Sequence, residues 1–143
     1  MSTNSMIGVQ NSDGTVEAVY CHNDGYLEHN GRMLVEHYNN EEAARNIVAL
    51  GALSFLAERL HPTPGVQHSF TNREEGVSVF YGRDRGETGG DAELYSGLYG
   101  ILNCGPLRPA GAFVYVYVPG TGWTVSVDKA PFRPLVYAKL AAD

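Results

Sequence analysis

The sequence is poor in most residues that mark a specialised chemistry. It holds only two cysteines, Cys21 and Cys104. Two thiols without a C-x-x-C spacing make neither a disulfide framework nor a redox motif, so both are expected free, in a reducing compartment. No apolar run approaches the ~20 residues a bilayer span requires, which excludes a membrane helix. Met1–Gln10 has neither a basic stretch nor a long apolar core, so no secretory leader is expected. Basic residues are scarce: ten Lys and Arg stand against sixteen Asp and Glu, a formal charge of −6. That balance disfavours a broad phosphate-binding face, and direct nucleic-acid binding is not expected. The acidic residues form no block, so the charge reads as ordinary solubility rather than mimicry of nucleic acid. Charged residues are 18% of the chain, below the usual ~25%. There is no internal repeat, no low-complexity tract and no Walker A motif, and no cofactor is expected.

What the chain does contain is a core. Of its 143 residues 43% are hydrophobic and 17 are glycine, which predicts a turn-rich single domain over 1–143. A chain of this length buries roughly 68–70% of its unfolded surface and needs no disulfide or metal to hold together. Ile7–Val9 and Val16–Cys21 read as strands joined by the turn Asn11-Ser12-Asp13-Gly14, where Asp-Gly tolerates positive φ. Asn23-Asp24-Gly25 breaks the second strand. A helix is predicted from Leu27 to Tyr38, with Leu27, Met33, Leu34 and Tyr38 as its apolar stripe. Asn39-Asn40-Glu41-Glu42 starts another, burying Ala43, Ala44, Ile47, Val48 and Leu50 and stopping at Gly51.

A short amphipathic segment (Leu53, Phe55, Leu56, Leu60) runs into the linker His61-Pro62-Thr63-Pro64-Gly65. Gly76–Tyr81 reads as a strand, and Gly82–Gly90 as an exposed, mobile polar loop. Asp91–Leu102 is ambiguous, with Leu94, Leu98 and Ile101 at helical spacing against Gly97 and Gly100. Ala112–Val118 is the strongest strand, apolar on both faces and therefore central. It turns at Pro119–Gly122 and returns as Trp123–Val127. Arg133–Leu140 reads as a closing helix started by Pro134. The expected class is α+β: an antiparallel sheet from the N-terminal hairpin, the middle strand and the C-terminal hairpin, with two or three helices packed on one face.

Four groups of residues carry candidate chemistry. Cys21, His22 and Asp24 offer a thiol, an imidazole and a carboxylate, but neighbours on a strand point to opposite faces, so Cys21 and His22 are poorly placed to touch. A pairing of Cys104 with a histidine across the fold stays open. His22, His29, His37 and Glu36 suggest a metal, yet His29 and His37 lie eight residues apart, ~12 Å along a helix, and cannot share one ion directly. Arg83-Asp84-Arg85 between glycines could clamp a phosphate or carboxylate, or could be a solvated loop tip. The nine tyrosines, five phenylalanines and single tryptophan are core residues by default. Some of Tyr95, Tyr99, Tyr115 and Tyr117 could instead form a recognition surface.

The strings Ile7-Gly8-Val9, Asp13-Gly14-Thr15-Val16, Tyr20-Cys21-His22-x-Asp24-Gly25-Tyr26, His29-Asn30-Gly31 with Leu34, and His37-Tyr38 resemble a group of small, mostly uncharacterised bacteriophage-encoded proteins. Ala49-Leu50-Gly51 and Tyr81-Gly82-Arg83-Asp84-Arg85-Gly86-Glu87 extend the resemblance to about half the chain. That group is expected to carry Trp before Asp24 and Pro after Tyr26; here Asn23 and Leu27 stand there, so a ligand surface at this turn would be altered.

The resemblance implies a non-enzymatic accessory protein of the bacterial host's cytoplasm. It would bind a host protein or complex, most concretely inhibiting a defence system as an anti-CRISPR does, with Tyr26, Arg83, Asp84 and Arg85 as contacts. The alternative is a small-molecule or nucleotide binder, or an enzyme acting on such a ligand, that uses His22, Asp24, Arg83 and Arg85 around one pocket. A structural protein forming a symmetric homo-oligomer is a third reading.

Overall fold

The computed structural model describes residues 3–104 and 113–135, with only the backbone described at 103 and 104. Its centre is the hairpin of β1, Ser5–Gln10, and β2, Val16–Cys21. The Asp-Gly turn closes it: Gly14 has φ +91° and donates its N–H to Asn11 O at 2.9 Å. After Asn23-Asp24-Gly25 the chain forms a π-helical turn, Leu27–Gly31, and runs directly into α1, Arg32–His37. The predicted single helix is thus one helical segment with a widened first turn.

Helix α2, Glu41–Ala49, starts where expected. Asn40 Oδ1 accepts from Ala43 N–H at 2.8 Å, with Glu41 and Glu42 in the first turn, and Gly51 stops the chain at φ +85°. Then follow β3, Leu53–Phe55; β4, Val79–Phe80; α3, Tyr81–Arg85; β5, Glu93–Tyr95; and α4, Leu98–Cys104. The long hairpin β6, Phe113–Val118, and β7, Gly122–Val127, comes next, followed by β8, Arg133–Pro134.

These strands form one sheet in the order β4-β3-β2-β1-β6-β7-β8, with β5 also paired to β2. This corrects the expected architecture. The sheet is larger than three units and mixed, because β1 runs parallel to β6, and β2 parallel to β3. The helices also take both faces. Ile7, Val9, Val19, Cys21, Tyr115 and Trp123 pack beneath α1 and α2, which contribute Leu34, Ala44, Ile47 and Val48. Met6, Val16, Ala18, Val114 and Val116 form a second core on the opposite face, against Ile101 and Leu102 of α4. Two apolar faces on β6 require two covering layers, so helices on one side alone could not suffice.

The amphipathic segment begins as β3. Two local expectations are also revised. The polar stretch after Phe80 is α3, not a loop: it ends at Gly86, φ +75°, whose N–H donates to Gly82 O at 3.0 Å. Arg133–Pro134 is an edge strand paired to Thr124 and Val125, not the start of a helix. Residues 136–140 of that predicted helix lie outside the described residues. Among the described residues, no helix is long and apolar enough to cross a membrane.

Candidate functional site

The segment from Tyr20 to Gly31 is a corner in which alternate residues go to different places. Cys21 points into the core, where Asn30 donates from Nδ2 to Ser5 Oγ at 3.0 Å and to Cys21 Sγ at 3.4 Å. Burial pushes the thiol pKa up to about 11, against weaker opposing hydrogen bonds from Asn30, the Asn23 backbone and Ser5. The thiolate is the nucleophile, so this thiol is inert at neutral pH. His22 lies on the other face with Tyr20, as strand alternation requires. The Tyr20 hydroxyl and Asn4 Nδ2 both converge on His22 Nδ1, at 2.9 and 3.4 Å. Burial foremost, with the nearby Tyr81, raises the Tyr20 pKa. Its phenol therefore stays protonated at neutral pH.

The corner itself is set by close packing. Asp24 has φ +56°. A Cβ on Gly25 would fall 2.7 Å from Ser5 Cβ and 2.8 Å from Asn4 O, so only glycine fits there. Tyr115 Oη donates to Gly25 O at 2.7 Å, tying the corner to the central strand. Tyr26 projects outward; its pKa is raised first by the Asp24 charge beside it. The histidines of the metal hypothesis are dispersed. His29 Nε2 donates to Leu56 O at 2.8 Å and its ring lies 4.9 Å from Phe55. His37 is at the exposed end of α1, 3.9 Å from Glu36. Among the described residues, no group of three or more His, Cys, Asp or Glu could hold a metal ion.

The three residues Arg83-Asp84-Arg85 have three different environments. The Asp84 side chain is buried, 3% exposed. Its carboxylate accepts from Arg83 Nε and Nη2 at 2.8 and 2.9 Å, and from Phe80 N–H at 2.8 Å. His68, fully buried, is 3.3 Å away through Nε2. Glu74 N–H points at His68 Nδ1 from 2.9 Å, so that nitrogen is the acceptor and Nε2 carries the proton. Both ring nitrogens are occupied, leaving this Asp–His pair no free nitrogen with which to move a proton to a ligand. Burial alone would raise the Asp84 pKa. The hydrogen bonds from Arg83 and Phe80 and the Arg83 charge outweigh it and hold the carboxyl below its usual range. Arg83 also donates to the carbonyls of Leu60 and Ser78, so every nitrogen of its fork is engaged within the chain.

Arg85 differs: its side chain is 54% exposed, 3.2 Å from Glu87, with the guanidinium 4.8 Å from the Phe70 ring centroid. Arg73 covers the same ring at 5.2 Å, and Phe70 stacks on Tyr81 at 5.7 Å and 29°. The strand register continues this row. Cys21, Leu53 and Phe80 are aligned across β2, β3 and β4 and all face the core under α2. Their neighbours Tyr20, Ala52 and Tyr81 therefore lie side by side on the opposite face, where Tyr81 N–H donates to Ala52 O at 3.2 Å. The result is a row along this face: Asn4, His22 and Tyr20, then Ala52, then Tyr81 and Phe70, with Arg73 and Arg85 over the Phe70 ring.

The structure thus brings His22 and Arg85 to the two ends of one row. It places Asp24 beside Tyr26, and Arg83 and Asp84 in an internal network. Asp24 and Arg83 also leave the Cys21–Leu53–Phe80 alignment in opposite directions, because β2 and β3 are parallel while β4 is antiparallel. Sequence reasoning missed Phe70, Tyr81, Tyr20 and Arg73. The available signal was an aromatic amid the polar run Ser69-Phe70-Thr71-Asn72-Arg73. Of the tyrosines considered for recognition, Tyr115 is fully buried, Tyr95 is 8% exposed, Tyr117 packs edge-on against Trp123, and Tyr99 is 82% exposed.

No family model, no curated protein and no solved structure matches this chain.

Proposed function

We propose that this protein works by binding a host protein rather than by catalysis. The carrying observation is the row in which half-buried Tyr20, Tyr81 and Phe70 share one face and two exposed arginines cover Phe70. Aromatic and arginine side chains dominate the energetics of protein recognition. Here they are pre-stacked, so less side-chain freedom is lost on binding. The chemistry of the groups considered for catalysis agrees with a non-enzymatic role, since the Cys21 thiol is buried and protonated and the His68–Asp84 pair is saturated. The resemblance of the first third of the chain to phage-encoded proteins makes inhibition of a bacterial defence complex, in the manner of an anti-CRISPR, the concrete version. The bacterial cytoplasm is its setting.

This reading moves the contact residues. Arg85 and Tyr26 remain as exposed contacts, while Arg83 and Asp84 support the row from behind. The small-molecule alternative built on His22, Asp24, Arg83 and Arg85 has less support, because Arg83 has already committed its donors. Affinity capture from a bacterial host lysate tests the proposal. A stable protein partner retained by the wild type and lost on Arg73→Ala with Arg85→Ala is expected; equal retention by both chains removes the row from the interface.

A further inference from the structure

A cleft of about 150 Å³ opens on the face of the sheet opposite α2, beside Tyr20. Its existence follows from the spacing along one edge of β2. At one end β2 pairs with β3 through Cys21, and at the other with β5 through Val16–Ala18. The chain crosses the interval through Gly89, Gly90 and Asp91. Ala52 N–H donates to Gly90 O at 2.7 Å, and a Cβ on Gly51 would stand only 2.7 Å from that same oxygen. This contact pins the crossing segment over the strand edge and leaves a walled space above Met6 and Ala18.

The chemistry of the walls is one-sided. The floor is apolar, with Met6 and Ala18 from the second core. Tyr20 and Tyr95 supply aromatic walls, and Asp91 and Glu93 stand at the rim. Two of these side chains are fixed from outside: the Tyr20 hydroxyl is held by His22 at 2.9 Å, and the Tyr95 hydroxyl donates to Glu93 Oε2 at 3.1 Å. Among the described residues no lysine, arginine or histidine lines the cleft, and among the described ion pairs neither Asp91 nor Glu93 has a cationic partner. Aromatic faces and carboxylates around an apolar floor attract a cation carried on an aliphatic stem through ring quadrupoles, charge and burial of the stem.

We propose that this cleft binds an organic cation, an alkylammonium or guanidinium group on a short apolar stem. The proposal rests on the cleft's own chemistry and not on the partner reading above. The cation has two sources, a free small amine or a basic side chain of a protein.

The test is a two-dimensional NMR titration of the full chain at matched salt with three probes: n-butylammonium, N-acetyl-lysine N-methylamide, and n-butanol as the neutral counterpart. Saturable shifts at Tyr20, Gly90, Glu93 and Tyr95 are expected with both cations and not with n-butanol. Tighter binding of n-butylammonium assigns the site to a free amine, and tighter binding of the lysine derivative assigns it to a protein side chain. Asp91→Asn with Glu93→Gln alters two exposed side chains and is expected to weaken the cations about tenfold without loss of fold. The proposal is overturned by the absence of saturable shifts, by equal response to n-butanol, or by unchanged affinity in the double variant. Host-protein capture with these outcomes would leave the partner reading standing, so the two fail separately.

Discussion

Arg83 grips its sequence neighbour Asp84 through Nε and Nη2, at 2.8 and 2.9 Å, while the same carboxylate lies 3.3 Å from the buried His68. This pair decides what the Tyr81–Glu87 string does. It anchors α3 on the loop that carries Phe70, whose N–H donates to Asp84 O at 2.9 Å. Only Arg85 is then left facing outward from the Arg-Asp-Arg triplet.

Removing the carboxylate leaves Arg83, His68 and Phe80 N–H without their shared acceptor. Asp84→Ala is therefore expected to cost about 3 kcal/mol, the scale of breaking a buried ionic pair. Urea unfolding at neutral pH checks this; a cost near that of a surface substitution would contradict the anchor.

The same carboxyl makes stability acid-sensitive. Its folded pKa is lowered, so its contribution is fully present above about pH 5 and is lost as pH falls through the unfolded carboxyl value of ~3.9 towards the lower folded value. Unfolding curves between neutral and acid pH should fall less steeply with acid for Asp84→Asn than for wild type. Parallel profiles would refute this assignment.

Cys21 should resist alkylation in the folded protein. Its thiol is buried with a pKa of about 11, so iodoacetamide at mildly alkaline pH should label it only after denaturant is added. Site-resolved mass spectrometry gives the readout. Rapid labelling of native Cys21 would reopen a nucleophilic role.

Two glycines should respond differently. Gly25→Ala drives a Cβ against Ser5 and the Asn4 backbone, and the tight fit is expected to cost about 2–3 kcal/mol or more. Gly14→Ala meets no atom within 4 Å but keeps φ +91°, and should cost about 1 kcal/mol of backbone strain. Thermal unfolding orders them; the reverse order would mean the corner is not close-packed.

Local structure was legible where one residue type has one local use. The Asp-Gly turn, the Asn40 cap and the Gly51 stop behave as their chemistry requires, and the two apolar faces of Phe113–Val118 correctly announce an interior strand. The parallel pairing of β1 with β6 was not legible, because it joins segments about a hundred residues apart and no local pattern encodes a strand's partner. β3 and β4 are too short to show a period. α3 reads as a loop because Tyr81-Gly82-Arg83-Asp84-Arg85 is polar and contains glycine; its helix is stabilised by Asp84 reaching back to Phe80 N–H. The candidate surface was half visible: Arg85, His22 and Tyr26 could be named, but Phe70 and Tyr81 meet only through tertiary packing.

The central claim is that the aromatic and arginine row is the contact surface. Its most direct test is binding of the captured host partner by Phe70→Ala and Arg85→Ala, beside a circular dichroism check that each variant is folded. Each substitution is expected to weaken binding by more than about 1 kcal/mol, as at an interface hot spot. Wild-type affinity in both folded variants would contradict the account.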